Sequence, residues 1–212
     1  MIQIDDAGSG SLVGGTCIGL YWTKYKKYKY DFIPLDCYTP ENFKEKKYQT
    51  HVVKIVSRFF DELSIPKNEP IELCQGYIFD VLREYLTTNN FNWKSTKIEG
   101  ILQEKVEKSF ADYSVSLGLP QSYISYTRYP FHFHKLLKWV YADYDQRKKL
   151  CKTGWKSWEK YGNLPMQIDY GTMVFKGYFC LKCGKKIKAR SPIKTIKFVS
   201  NKENILFIHK NC

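Results

Sequence analysis

Ile4-Asp5-Asp6-Ala7-Gly8-Ser9-Gly10-Ser11-Leu12-Val13-Gly14 is the stretch that decides how this chain is read. Residues 1–5 read as a short strand, and the Gly/Ser cluster breaks it. Two adjacent carboxylates at the end of a first strand are out of place in a basic protein unless something cationic neutralises them, and a divalent metal is the obvious candidate. The glycines could instead cradle a phosphate. That reading fails because the chain beyond the glycines is extended, so the helix N-terminus on which phosphate loops depend is missing, and the carboxylates would repel a nucleotide.

Working outward, Thr16 to Trp22 and Tyr30 to Leu35 are two further extended runs, which complete an antiparallel meander. Thr39-Pro40-Glu41 starts a helix, with Thr39 as N-cap and Pro40 at the first helical position, and an apolar face from Val52 to Leu63 continues it to Pro66. A short strand at 70–74, a helix at 77–86, a strand at 93–98 and a helix at 101–117 come next. Residues 131–161 read as one long or broken basic helix that ends near Gly162-Asn163-Leu164-Pro165, the expected domain boundary. The order predicts an α/β fold over residues 1–163, a mixed sheet flanked by helices, with a small domain at 164–212.

That small domain carries the clearest motif. Cys180-Leu181-Lys182-Cys183-Gly184 and His209-Lys210-Asn211-Cys212 each place two ligands around two spacer residues. Four protein ligands complete the tetrahedral shell of a structural Zn²⁺ and leave no position for a hydrolytic water. Between them, 195–199 and 204–208 alternate like two strands around a Ser200-Asn201-Lys202-Glu203 turn. The layout is that of a zinc ribbon. The other four of the seven cysteines are read as buried hydrophobes, or, for Cys151, as an isolated residue.

The 212 residues hold 34 Lys and Arg against 21 Asp and Glu, a net charge of +13. A chain so basic is suited to a polyanion, and nucleic acid, DNA or RNA, is the expected partner. Aromatic rings interleave with the charge at Tyr21 to Tyr30, which could equally be a solvated hairpin tip with tyrosines packed across strands, and from Lys135 to Lys160, where Trp139, Trp155 and Trp158 could either stack on bases or pack into the core. With 43% hydrophobic content the chain is too apolar for disorder, and the lack of a long apolar run or signal peptide predicts a cytoplasmic protein that meets no membrane.

The opening motif resembles the Asp-Glu-Ala-Gly-Arg-Gly-x-Leu-x-Gly signature of type-2 ribonucleases H, and more loosely the Asp-Pro-Gly-Ser-Gly opening of RuvC-type Holliday-junction resolvases. The resemblance implies a ribonuclease H-like fold and a divalent-metal-dependent nuclease using Mg²⁺ or Mn²⁺. Asp5 would be the first-strand metal ligand, and Asp6 would stand at the signature glutamate position. Ser9 replaces the signature arginine, and no Asp-Ser-Lys motif is present further on. Glu72, on the short strand where resolvase-type members carry a glutamate, is the expected second carboxylate, and Asp143 or Asp145 the third. Their spacing of two keeps both from pointing the same way on a regular helix. His132 and His134 lie nearby in sequence and could assist or simply pack. The alternative is a non-catalytic nucleic-acid-binding or assembly protein on the same fold. A homodimer, the state of junction resolvases, is compatible with either.

Overall fold

The computed structural model describes residues 1–212, the side chain of Tyr126 apart. Its backbone contacts divide the chain into two compact units, residues 1–9 with 14–113, and residues 10–13 with 114–212. The helical segment after residue 113 thus groups with the cysteine-rich tail.

In the first unit the meander is β1 (Ile2–Ala7), β2 (Thr16–Trp22) and β3 (Lys27–Ile33). Two short strands, β4 (Ile71–Cys74) and β5 (Trp93–Thr96), complete a five-stranded mixed sheet in the order β3-β2-β1-β4-β5. β1 pairs antiparallel with β2 and parallel with β4, and the strand order reverses between β1 and β4. In open α/β sheets ligands gather at the carboxyl ends of strands beside such a switch.

The helix expected from Thr39 to Pro66 is two helices. The Thr39 hydroxyl accepts from Asn42 N–H at 3.4 Å and opens α1 (Pro40–Lys44), as its cap and proline require. Lys46 then takes a left-handed conformation (φ 55°), which interrupts the hydrogen-bond ladder before α2 (Lys47–Leu63). Val52, Ile55, Val56, Phe59 and Phe60 of α2 are buried with Ile2, Ile4, Ile18 and Leu20 of the sheet. α3 (Asp80–Thr88) adds Leu82 and Leu86 to that core, and α4 (Ile101–Ser116) covers the other sheet face with Leu102 and Val106 against Gly19.

The second unit resolves the expected basic helix at 131–161 into α6 (Phe133–Tyr141), α7 (Tyr144–Arg147) and α8 (Lys156–Tyr161), preceded by α5 (Gln121–Tyr126), which no sequence pattern announces. Trp139 is fully buried and belongs to the core, and Trp155 and Trp158 are partly buried against that same core. Strands β6 (Gln167–Thr172), β7 (Pro192–Val199) and β8 (Glu203–His209) form a second, antiparallel sheet in the order β6-β7-β8. β7 and β8 are the two strands expected between the ligand pairs. Leu12 and Val13 are buried in this unit's core, with Leu12 O accepting from Lys152 N–H at 2.8 Å. Among the described residues, no helix is long and apolar enough to cross a membrane.

Candidate metal centres

The carboxyl ends of β1 and β4 bring Asp5, Asp6 and Cys74 together, with a ligand atom of each within 4.8 Å of the others. Asp5 is buried, Asp6 and Cys74 half-buried. Burial pushes the Asp5 carboxyl above its ordinary value, opposed by a hydrogen bond from the Cys74 thiol. The negative charge of Glu107, on α4, pushes in the same direction as burial. The Cys74 thiol is itself pushed up to about 12, first by burial and then by its bond to Asp5. The pair is therefore a thiol donating to a carboxylate, with charge left over for a cation.

Gly8 explains why the loop after these carboxylates is glycine-rich. It has φ +85°, and a Cβ there would lie 2.1 Å from Cε2 of Phe110. The glycine is needed for a left-handed turn that lets α4 approach the strand end, not for cradling a phosphate.

Glu72 does not join the cluster. It lies opposite Gln3 in the β1–β4 register, two residues short of Cys74. Gln3 Nε2 donates to it at 3.0 Å and Lys94 Nζ pairs with it at 3.1 Å, and these two bonds hold its carboxyl below the usual range. Cys74 occupies the place beside Asp5 where a second strand carboxylate was expected. The resemblance to resolvases pointed to Glu72 on this strand; the register, which no local pattern reveals, puts the residue two further on beside Asp5.

Asp143 and Asp145 belong to the second unit. Asp143 pairs with Lys182 at 3.2 Å and its charge supports protonation of Arg147. Asp145 is 89% exposed on its side chain, with Lys148 at 3.7 Å. The carboxylate that bears on Asp5 from a helix is Glu107 of α4, which is exposed and accepts from Gln103 at 3.0 Å. It carried no sequence signal beyond being one of several acids on that helix. His132 and His134 lie beside each other at 6.0 Å between ring centres, and His134 packs edge-on to Tyr161, so the packing reading of the two fits.

The second centre joins Cys180, Cys183, His209 and Cys212, again with all ligand atoms within 4.8 Å. Cys180 Sγ lies 3.8 Å from Cys212 Sγ, and His209 Nδ1 lies 3.4 Å from Cys183 Sγ and 3.6 Å from Cys212 Sγ. A tetrahedron with thiolates at ~2.3 Å and an imidazole nitrogen at ~2.0 Å from its centre has edges of about 3.8 Å and 3.5 Å. The residues thus fit such an ion, with Nδ1 as the ligating nitrogen.

Arg147 braces this centre from behind. Its guanidinium stacks 3.9 Å from the Trp139 ring and donates to Trp139 O (2.6 Å), Leu181 O (2.9 Å) and Lys182 O (2.8 Å). The last two are carbonyls of the turn between Cys180 and Cys183. Burial lowers the Arg147 pKa to about 10, still well above neutrality, so it remains a cation.

The charge is divided unevenly between the units. Nineteen of the 34 Lys and Arg but only five of the 21 Asp and Glu lie in the second unit, leaving it at +14 and the first at −1.

A scan against protein-family models matches none, and a comparison with curated proteins finds no relative. Function therefore rests on these two centres and the charge.

Proposed function

We propose that the protein is a divalent-metal-dependent nuclease with a ribonuclease H-like first unit, and that the second unit is a zinc-stabilised nucleic-acid grip. The observation that carries the reading is the convergence of Asp5 and Asp6 at the carboxyl end of β1, at the switch point of a sheet whose order is β3-β2-β1-β4-β5. An antiparallel meander followed by two parallel strands agrees with the ribonuclease H-like expectation raised by the opening motif.

In this reading Asp5 and Asp6 hold Mg²⁺ or Mn²⁺, which would supply an activated water and stabilise the leaving oxygen of a phosphodiester. Cys74, as a thiol, orients Asp5 by its hydrogen bond. Glu107 adds negative charge that favours cation uptake near Asp5. Zn²⁺ at Cys180, Cys183, His209 and Cys212 has only a scaffolding role, since protein atoms fill its tetrahedral shell. A near-neutral unit around the carboxylates and a strongly basic unit beside them in sequence divide the labour between chemistry and grip.

A second reading is favoured by one observation, the engagement of Glu72 by Gln3 and Lys94 with a cysteine in its expected place. It is a nucleic-acid-binding protein on the same fold without hydrolysis. Incubating the purified protein with single-stranded, duplex, hybrid and branched substrates, with Mg²⁺ and with Mn²⁺, separates the two. The nuclease reading expects cleavage that Asp5→Asn abolishes; binding without cleavage in either metal supports the second reading.

A further inference from the structure

Beyond the carboxylate centre, the second unit presents an aromatic sheet face, the one to which the metal-centre residue His209 also belongs, whose rings are not themselves ligands. In the β7–β8 register Thr195 opposes Phe207, Lys197 opposes Ile205 and Val199 opposes Glu203, and these residues share one face. The residues that alternate with them, Ile196, Phe198, Leu206 and Ile208, are buried. Phe207 thus emerges on the open face. Its ring meets Phe175 at 5.9 Å and Tyr178 edge-on at 5.1 Å. Phe175 is 51% and Tyr178 44% exposed, and Ile205 and Val199 on the same face are exposed as well.

Such a patch would be a liability on a protein surface unless it has an occupant. The surrounding charge says which kind. Among the described residues, Lys148, Lys182 and Lys197 are paired with carboxylates, while Lys176, Lys185, Lys186, Lys188 and Arg190 have no carboxylate partner. A second copy of this unit would bring +14 against +14, which opposes self-docking. Flat rings bordered by unpaired cations suit a chain that offers planar bases and phosphates together. In a duplex the base faces are already stacked, so only unpaired nucleotides can use the rings.

We propose that the open face of the β6–β7–β8 sheet binds single-stranded nucleic acid, with bases stacking on Phe175, Tyr178 and Phe207 and phosphates pairing with the lysines that flank the knuckle. The proposal rests on the reading of nucleic acid as the partner but not on hydrolysis. It places substrate recognition in the ribbon and makes the preferred strand an unpaired one.

The test is fluorescence anisotropy of a labelled oligothymidine and of a duplex of equal length, with the full-length zinc-loaded protein in buffer free of Mg²⁺ and Mn²⁺. The expected result is tighter binding to the single strand, weakened at least about fivefold by Phe175→Ala combined with Tyr178→Ala. Restoration by Phe175→Trp combined with Tyr178→Phe is expected as well. Bound zinc, measured alongside, is expected to be unchanged, which shows that the variant is folded. Affinity that is equal for the two oligonucleotides, or unaffected by the double substitution, overturns the proposal. So does sedimentation showing that the wild-type protein self-associates through the same two rings. Because no cleavage is read, absence of nuclease activity leaves this test intact.

Discussion

The Cys74 thiol lies within 4.8 Å of the Asp5 carboxylate, at the end of the parallel β1–β4 pair. This juxtaposition makes the metal preference of the centre testable. A thiol pushed up to about 12 is a poor partner for a hard cation, so Asp5 and Asp6 are the carboxylates within reach of Mg²⁺, with Glu107 adding to the local negative charge. Cys74→Asp adds a third carboxylate and is expected to tighten Mg²⁺ binding roughly tenfold, because affinity for hard cations follows the number of charged oxygens. Cys74→Ala should leave it within about a factor of three. Isothermal titration of the three proteins with Mg²⁺ measures both effects, and an equal loss in both variants would show that the thiol is itself a ligand.

Gly8 is expected to tolerate no side chain. At φ +85° any L-residue is strained, and its Cβ would collide with Phe110. Gly8→Ala should cost at least about 2 kcal/mol, combining the left-handed penalty with overpacking. The shift in urea midpoint at constant slope reports it, and Phe110→Ala in the same chain should recover the steric part only.

Arg147 predicts a coupling between a buried cation and the knuckle. Removing it leaves three carbonyls, of Trp139, Leu181 and Lys182, without their donor. Arg147→Met should destabilise the second unit by about 2–4 kcal/mol and hasten zinc loss to a chelator. Arg147→Lys should not rescue it, since one ammonium cannot reproduce the planar fork. Zinc release followed by a colorimetric chelator distinguishes the variants, and identical release rates would show that the bracing is immaterial.

His134 predicts an acid sensitivity. Burial first, and then the positive charges of His132, Lys138 and Lys202, lower its pKa from 6.5, and its Nδ1 is buried without a hydrogen-bond partner. The unfolded state therefore binds the proton more readily. Stability is full above the unfolded-state pKa and is lost as pH falls through it toward the lower folded value. Melting temperature should fall as pH drops below about 6.5, and His134→Phe should flatten that fall. An unchanged pH profile in the variant would assign the sensitivity elsewhere.

The legible part of the sequence is what short-range chemistry writes. Thr39-Pro40 marks a helix start, and Cys-x-x-Cys with His-x-x-Cys marks a four-ligand centre whose atoms the fold does assemble. Alternation in 195–208 gives two strands and their turn. The hidden parts depend on long-range register. Nothing local says that Cys74 and not Glu72 stands beside Asp5, or that α4, between Leu102 and Phe110, delivers Glu107 toward that end of the sheet. Likewise Trp139 reads from sequence as either a stacking ring or a core residue, and only the tertiary packing puts it at zero exposure under Arg147. The break at Lys46 is equally hidden, since a left-handed lysine has no compositional signature.

Everything proposed for the first unit depends on Asp5 and Asp6 holding a divalent cation. Anomalous diffraction from crystals soaked in Mn²⁺, collected above and below the manganese edge, decides whether they do. The expected map has a manganese peak about 2.0–2.4 Å from carboxylate oxygens of both Asp5 and Asp6, absent in Asp5→Asn crystals treated identically. A map with no manganese at these carboxylates, in crystals where the four-ligand centre is fully loaded, would contradict it.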